Sequence, residues 1–243
     1  MAPLERNDLT IYNDRTHAWW DHRDPIFRPL HNLAPARWQF FEAQLPLQLS
    51  GAFWQGQRVV DVGCGGGYMS ELMARQGARV LGVDIAAGAL RAAGTRAREQ
   101  GFELTLHQSS ADALPCPSGS MDVAVCTDVL VHVPNPEAVV REIGRVLRPG
   151  GLFLFSSIHR TWISRLVMIT LGEDLLQIVH RGTHDPRRFI RPEELQGWLK
   201  PAGMQLKALQ GIGPTGFSRA SGLQFGRWPS IQVMYQGAAV KLP

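Results

Sequence analysis

Short apolar runs alternate with longer helical patterns between residues 57 and 157, and these runs predict strands. The predicted strands cover residues 58–62, 79–83, 103–107, 121–126 and 152–156. The predicted helices cover residues 67–76, 86–100 and 136–147. Gly77, Gly101 and the Pro149-Gly150-Gly151 break end these helices. The alternation predicts β-α-β units in an α/β fold with a parallel sheet.

Two segments lie outside this alternation. Aromatic and polar residues in the first 50 positions predict helices before the core, and a second helical pattern interrupts the chain after the fifth strand. We therefore predict one domain over residues 1–243 with four parts. These are an N-terminal helical cap (1–50), an α/β core (51–158), a helical insertion (159–191) and the C-terminal part of the sheet (192–243).

Composition narrows the class of protein. A chain of 243 residues with 44% hydrophobic and 19% charged residues is typical of a folded globular domain, not of disorder. The formal charge of +4 comes from scattered arginines rather than a basic stripe, so we expect no nucleic-acid partner. The three cysteines lack CxxC spacing, which favours a reducing compartment. No leader-like or spanning apolar segment is apparent, so we expect a cytoplasmic protein.

A glycine-rich turn follows the first predicted strand in the run VVDVGCGGG at 59–67. Glycines tolerate positive φ and have no Cβ, so they let the backbone approach a ligand closely. A dinucleotide-binding turn is disfavoured because Tyr68 stands where that motif needs glycine or alanine. A tight turn without a ligand is the alternative. The residues predicted to contact a ligand are Asp61, Gly63, Cys64 and Gly65.

A second acidic residue, Asp84, ends the second predicted strand about 20 residues after the first glycine. Its carboxylate can accept hydrogen bonds from both hydroxyls of a ribose, and Ile85 can pack against a purine ring. An aspartate in this position also serves as a helix cap. Together with the glycine turn, Asp84 predicts a nucleoside-containing ligand.

Five motifs in order resemble those of class I S-adenosylmethionine-dependent methyltransferases. They are DVGCGGG, VLGVDIA, ADALP, SMDVAVC and VLRPGGLFLFS. The resemblance implies a Rossmann-like sheet of seven mostly parallel strands with helices on both faces, the antiparallel last strand being residues 231–240. It also implies that Asp112 receives the adenine amino group, that Ala113 meets the ring, and that Thr127 contacts the methionine part.

The flanking regions resemble the ubiquinone-biosynthesis O-methyltransferases, which act on demethylubiquinol and related catechols. The matching stretches include WWD at 19–21, HVPNP at 132–136 and GTHD at 182–185. The resemblance implies a small aromatic acceptor and places Arg37 near the cofactor carboxylate, a role that suits a bidentate donor. A solvated helix arginine is the alternative for Arg37.

The family's Glu-x-x-Glu-His pattern, which binds a divalent cation, is altered in this chain. The matching stretch is Asp128-Val129-Leu130-Val131-His132, so Val131 replaces the second carboxylate. Magnesium prefers several oxygen ligands, and a site reduced to Asp128 and His132 should be weak or lost.

A phenol with a pKa of about 10 is mostly protonated at neutral pH, so its oxygen needs help to become nucleophilic. We therefore predict His132 as general base, with Asp128 orienting or charging it, during in-line methyl transfer. A structural histidine at a helix entrance is the alternative. His22, His31, His159, His180 and His184 are interpreted as packing or surface residues, the alternative being that they reach the pocket.

Three questions stay open at the level of sequence. The apolar spacing at 161–179 fits peripheral contact with a membrane interface and equally a buried cap over the active site. The cofactor cradle does not distinguish O-methylation from C- or N-methylation, nor from a catalytically degenerate S-adenosylmethionine-binding protein. The oligomeric state is undetermined.

Overall fold

The computed structural model, which describes residues 7, 9–45, 52–176, 178–218 and 222–243, is built around an eight-stranded sheet. Its strands are β1 (Arg58–Val62), β2 (Arg79–Asp84), β3 (Thr105–Gln108), β4 (Met121–Thr127), β5 (Leu147–Ile158), β6 (Met204–Ser218), β7 (Gly222–Trp228) and β8 (Met234–Lys241). Its α-helices are α1 (Thr10–Asp14), α2 (Arg28–Ala43), α3 (Tyr68–Arg75), α4 (Ala87–Gln100), α5 (Pro136–Val146), α6 (Trp162–Ser164) and α7 (Pro192–Leu199). Of the predicted N-terminal cap, residues 1–6, 8 and 46–50 lie outside the described part of the chain.

The strands are arranged in the order β3-β2-β1-β4-β5-β8-β6-β7. Strands β1 to β5 pair in parallel, and β8 runs antiparallel between β5 and β6. The prediction of a mostly parallel α/β sheet with an antiparallel last strand is therefore confirmed.

The predicted number of seven strands is wrong, because the described residues form eight. β7 pairs antiparallel with β6 and adds a hairpin at the edge of the sheet. Gly211, Gly213, Pro214 and Gly216 interrupt the apolar pattern of β6, so neither arm of this hairpin has a clear strand signal. The Asn32 side chain of α2 donates a hydrogen bond to the carbonyl oxygen of Leu223 at 2.8 Å, which ties the extra strand to the N-terminal helix.

The central strands are buried on both faces, which explains their nearly continuous apolar runs. Val60, Ala124 and Phe155 belong to the core on one face of the sheet. Val59 and Val125 belong to the core on the opposite face. The alternation fixes the register of each strand and brings the carboxyl ends of β1, β2 and β4 to one edge, where ligands bind in such sheets.

The insertion forms a helix that differs from the predicted amphipathic α-helix over 161–179. The Thr161 side chain caps its start, α6 makes the first turn, and Arg165–Leu175 continues with π-type hydrogen bonding. No helix within the described ranges is both long and apolar enough to cross a membrane.

Candidate active site

A cavity of about 310 Å³ opens at the carboxyl ends of β1, β2 and β4. Its floor is the glycine turn after β1, and its walls come from the loops after β2, β3 and β4 and from the N-terminal helices. The floor and three of the walls therefore directly follow strands of the parallel part of the sheet.

The glycine turn requires glycine for two physical reasons. Gly63 has φ of 68° and Gly65 has φ of 54°, a left-handed conformation that side chains with Cβ rarely adopt. A Cβ on Gly63 would also overlap the side chain of Val129. The backbone N–H groups of Gly63 and Cys64 both donate to the carbonyl oxygen of Val83, at 2.7 and 3.0 Å, which anchors the turn to β2.

Two carboxyl groups lie beside this turn, Asp61 fully buried and Asp84 partly buried. Asp84 accepts hydrogen bonds from the backbone N–H groups of Gly65 and Ala86, both at 2.8 Å. Burial raises the pKa of Asp84 although these two hydrogen bonds act in the opposite direction. Asp61 accepts a hydrogen bond from the Ser70 hydroxyl at 2.6 Å, and burial raises the pKa of Asp61 to about 6.

An aromatic cluster from the N-terminal segment covers the turn. A Cβ on Gly65 or Gly66 would lie 2.7 or 2.5 Å from the Trp19 ring, so the indole rests directly on these two residues. Trp20 donates from its indole N–H to the carbonyl oxygen of Gly66 at 2.9 Å, and the Tyr68 hydroxyl donates to the Trp19 carbonyl oxygen. The N-terminal segment therefore closes one side of the cavity.

The aspartate after β4 is held in a charged and strained position. Asp128 has φ of 60° and forms an ion pair with Arg37, whose side chain is only 4% exposed. The Ser156 hydroxyl donates to the same carboxylate at 3.0 Å. Burial disfavours ionisation, but Arg37 and Ser156 outweigh it and hold the pKa of Asp128 below its usual range.

His132 also lines the cavity, close to Asp128 along the chain. Its ring Nδ1 lies 2.7 Å from the Asn7 side-chain oxygen, and its ring stacks on His184 with centroids 5.2 Å apart. Burial, together with the charge of His184, lowers the pKa of His132 to about 3 although Asp128 acts in the opposite direction. The imidazole is therefore neutral at physiological pH.

The insertion contacts His132 through His184, which a buried glutamate holds in place. Glu173 is 0% exposed and accepts hydrogen bonds from the backbone N–H groups of Gly182 and His184, both at 2.9 Å. It also accepts one from the His184 ring Nδ1 at 2.8 Å. Glu173 thus holds His184 against His132, so the insertion forms part of the wall behind the predicted base.

Comparison with known proteins fits this geometry. Residues 60–155 match the methyltransferase domain family. The chain is 40% identical over 212 residues to the ubiquinone biosynthesis O-methyltransferase of Ralstonia nicotianae, which covers 87% of this chain and 86% of the relative. The protein of the same name from Pseudomonas putida is 37% identical over 214 residues, or 87% and 88% of the two chains. This chain belongs to the ubiquinone biosynthesis O-methyltransferase family. It is an S-adenosylmethionine-dependent methyltransferase.

Solved structures of other methyltransferases share the fold of this enzyme. Magnesium protoporphyrin IX methyltransferase from Synechocystis, solved with bound SAH, superposes with a TM-score of 0.66 at 18% identity over 96% of this chain and 97% of that one. A possible histamine N-methyltransferase from Thermotoga maritima gives 0.61 at 18% identity, with 96% of each chain covered. At these identities the likeness concerns the fold alone.

Ten of the twelve predicted site residues of this methyltransferase line the cavity. They are Arg37, Asp61, Gly63, Cys64, Gly65, Asp84, Ile85, Thr127, Asp128 and His132. Asp112 and Ala113 do not line it, and their neighbours Ser110 and Ala111 do. Asp112 is exposed and accepts a hydrogen bond from the Ser110 hydroxyl at 2.5 Å, so its side chain is turned toward its own loop.

The sequence reasoning missed residues that the fold brings to the site from elsewhere. Asn7, Trp19, Ser70 and Glu173 have no role in the site that the sequence predicts, and His184 is among the histidines that the sequence favours as packing or surface residues. The GTHD match at 182–185 was the available signal for His184.

The residues of the family's cation pattern do not fit a metal in this methyltransferase. Val131, at the place of the second carboxylate, is 1% exposed and belongs to the hydrophobic core. The carboxylate of Asp128 is already paired with Arg37. No group of three or more histidine, cysteine, aspartate or glutamate side chains in the described part of the chain is arranged to hold a metal ion.

Proposed function

We propose that this methyltransferase transfers the methyl group of S-adenosylmethionine to the oxygen of a phenolic, catechol or quinol acceptor, with His132 taking the proton. The observation that carries the proposal is a neutral, partly buried histidine on the wall of the same cavity that contains the glycine turn. The relatives named as ubiquinone biosynthesis O-methyltransferases support an oxygen as the acceptor atom.

We place the cofactor on the glycine turn. The cavity suits it, because Asp84 is partly buried at the end of β2. Each of its oxygens accepts one backbone hydrogen bond and keeps a lone pair for a ribose hydroxyl. Ile85 is 69% exposed beside it, which leaves an apolar surface for a purine ring. The Nε atom of Arg37 is buried without a hydrogen-bond partner, which fits a donor awaiting the carboxylate of a ligand.

The role of His132 follows from its protonation state. When bound, S-adenosylmethionine supplies an electrophilic methyl group on a positively charged sulfur. With a pKa of about 3, His132 is a weak base. Complete proton transfer from a free phenol, with a pKa of about 10, to this base would be strongly uphill. The proton must therefore leave as the oxygen gains the methyl group, because the methylated oxygen holds its proton far more weakly.

The proposed base is tested by turnover of a soluble catechol with product identification by NMR. We expect an O-methyl product and a fall in kcat of at least about 100-fold in His132→Ala. The matched control is His107→Ala, since His107 is an exposed residue of β3 that does not line the cavity. A methyl group on carbon or nitrogen would contradict O-methylation, and full activity of His132→Ala would contradict the base.

Removal of divalent cations tests the interpretation of Val131. Because the residues at the cation pattern do not fit a metal, we expect the same kcat with and without excess chelator. A complete loss of turnover in chelator that added magnesium restores would contradict this part of the proposal.

The insertion is proposed to touch a membrane surface, from which a prenylated acceptor would enter. Its helix leaves Trp162, Leu166 and Leu175 exposed by 74%, 42% and 68%, while Ile169 is buried against the core. An exposed apolar face on an otherwise anchored helix is the pattern of an interfacial helix.

Liposome flotation tests this contact. We expect wild-type protein to float and Leu166→Glu/Val167→Glu to stay in solution, with circular dichroism confirming that the variant is folded. Phe217→Glu is the matched control, because Phe217 is 72% exposed on β6, outside the insertion. Equal flotation of all three proteins would contradict the proposed surface.

A further inference from the structure

Asn7 makes contacts with two parts of the site at once. Its side-chain oxygen lies 2.7 Å from Nδ1 of His132, and its side-chain nitrogen donates to the backbone carbonyl oxygen of His132 at 3.1 Å. Its backbone N–H donates to the carbonyl oxygen of Gly182 at 2.8 Å. Asn7, 125 positions away along the chain, therefore binds both the ring and the backbone carbonyl group of His132. It is also bound to the insertion through Gly182.

These contacts fix the orientation of the amide group. A backbone carbonyl oxygen only accepts hydrogen bonds, so the NH₂ end of the Asn7 amide must face it. The oxygen end must then face Nδ1 of His132. Since an amide oxygen only accepts, Nδ1 must carry the hydrogen.

We infer that Asn7 is a positioning residue that holds His132 in the tautomer with the proton on Nδ1, leaving Nε2 as the free proton acceptor. This inference rests on the proposed function of His132 as base. Neutral imidazole can adopt either tautomer unless a neighbour selects one. The hydrogen bond made by one ring nitrogen therefore determines whether the other nitrogen carries the proton or can accept one.

Asparagine is suited to this position by its chemistry and its backbone. Aspartate can accept from Nδ1 but cannot donate to the carbonyl oxygen of His132, and alanine can do neither. Asn7 has φ of 69°, a left-handed conformation that asparagine tolerates better than most residues. The hydrogen bond from Asn7 to Gly182 also connects Asn7 to the helix of the insertion, because the backbone N–H of Gly182 donates to the buried Glu173 at 2.9 Å.

Steady-state kinetics test the inference with a matched pair of variants. Asn7→Ala removes both side-chain hydrogen bonds to His132. Asn13→Ala removes another side-chain bond of the N-terminal segment to the core, from the backbone N–H of Gly88 at 2.9 Å, without touching His132. We expect kcat to fall about 10- to 100-fold in Asn7→Ala, with KM for the donor within about threefold of wild type. An equal loss of kcat in Asn13→Ala would overturn the inference, because docking of the segment would then explain it.

The tautomer itself is measured by NMR of protein labelled with ¹⁵N-histidine. The His132 signals are identified by their absence in His132→Asn. We expect wild type to carry the ring proton on Nδ1, and Asn7→Ala to lose this preference. A wild-type ring protonated on Nε2, or an unchanged tautomer in Asn7→Ala, would overturn the inference.

The two measurements separate this inference from the proposed function. If His132→Ala keeps full turnover, the base assignment fails, while the NMR spectra still decide whether Asn7 selects the tautomer. If His132→Ala is inactive and the wild-type ring is protonated on Nε2, the base assignment stands and the role of Asn7 is refuted.

Discussion

Replacing Gly66 by alanine would push a methyl group into the Trp19 ring. The added Cβ would lie 2.5 Å from Cε3 and 2.7 Å from Cδ2 of the indole. Trp19 is 4% exposed and packs on Phe27 with ring centroids 4.5 Å apart, so the ring has little room to move. Overpacking of this kind costs about 1–3 kcal/mol. Alanine gains about 0.4–1 kcal/mol from the less flexible unfolded chain, so we expect a net loss of about 1–2 kcal/mol.

Gly65→Ala should destabilise the fold more than Gly66→Ala does. Its Cβ would lie 2.7 Å from Trp19, and the backbone at φ of 54° adds the left-handed penalty of about 1–2 kcal/mol. We therefore expect Gly65→Ala to reduce the free energy of unfolding by about 2–4 kcal/mol and to weaken cofactor binding more than Gly66→Ala does.

A double-mutant cycle measured by urea unfolding isolates the contact between Trp19 and Gly66. In a Trp19→Leu background the smaller side chain makes room, so the cost of Gly66→Ala should shrink by most of its value. A cost that is the same in both backgrounds, or a stabilising effect of Gly66→Ala in wild type, would refute the packing of Trp19 on the turn.

Three further predictions concern buried charges. Burial raises the pKa of Asp61 to about 6, so the folded protein keeps this proton to higher pH than the unfolded chain. The free energy of unfolding of wild type should fall by about 2 kcal/mol relative to Asp61→Asn between about pH 4 and about pH 7, and parallel urea profiles would contradict this. Arg37→Ala leaves the Asp128 charge buried without its cation and should cost about 3–5 kcal/mol in thermal unfolding, part of which Asp128→Asn restores; no recovery in the double variant would count against the pair. Glu173→Ala removes the acceptor of two backbone N–H groups at about 1–3 kcal/mol each, so hydrogen exchange at 182–184 should accelerate at least about tenfold while β4 is unchanged. Unchanged exchange at 182–184 would contradict the anchoring role of Glu173.

The core of the fold could be predicted because its signals are local. β1, β2 and β4 are buried on both faces, so their residues form apolar runs, and the glycine turn directly follows the first of them. Each strand delivers the next residues of the chain to the same edge of the sheet. Sequence order alone therefore brings Gly63, Asp84 and Asp128 together.

The rest of the site depends on contacts between distant segments. Asn7 meets His132 across 125 positions, and Trp20 meets Gly66 across 46, which no local period reveals. Glu173 lies in a helix whose exposed apolar residues dominate the pattern, so its complete burial has no signature in the sequence. Asp112 illustrates the reverse case, because its motif fits the family while the side chain bonds within its own loop.

Titration calorimetry on ligand-stripped protein tests the central claim, that the cavity beside Asp84 holds the methyl donor. We predict one binding site per chain for both S-adenosylmethionine and its demethylated product, weakened at least about tenfold by Asp84→Asn through loss of charge-assisted hydrogen bonds. Absence of heat with both ligands, or equal affinity in Asp84→Asn, would contradict it.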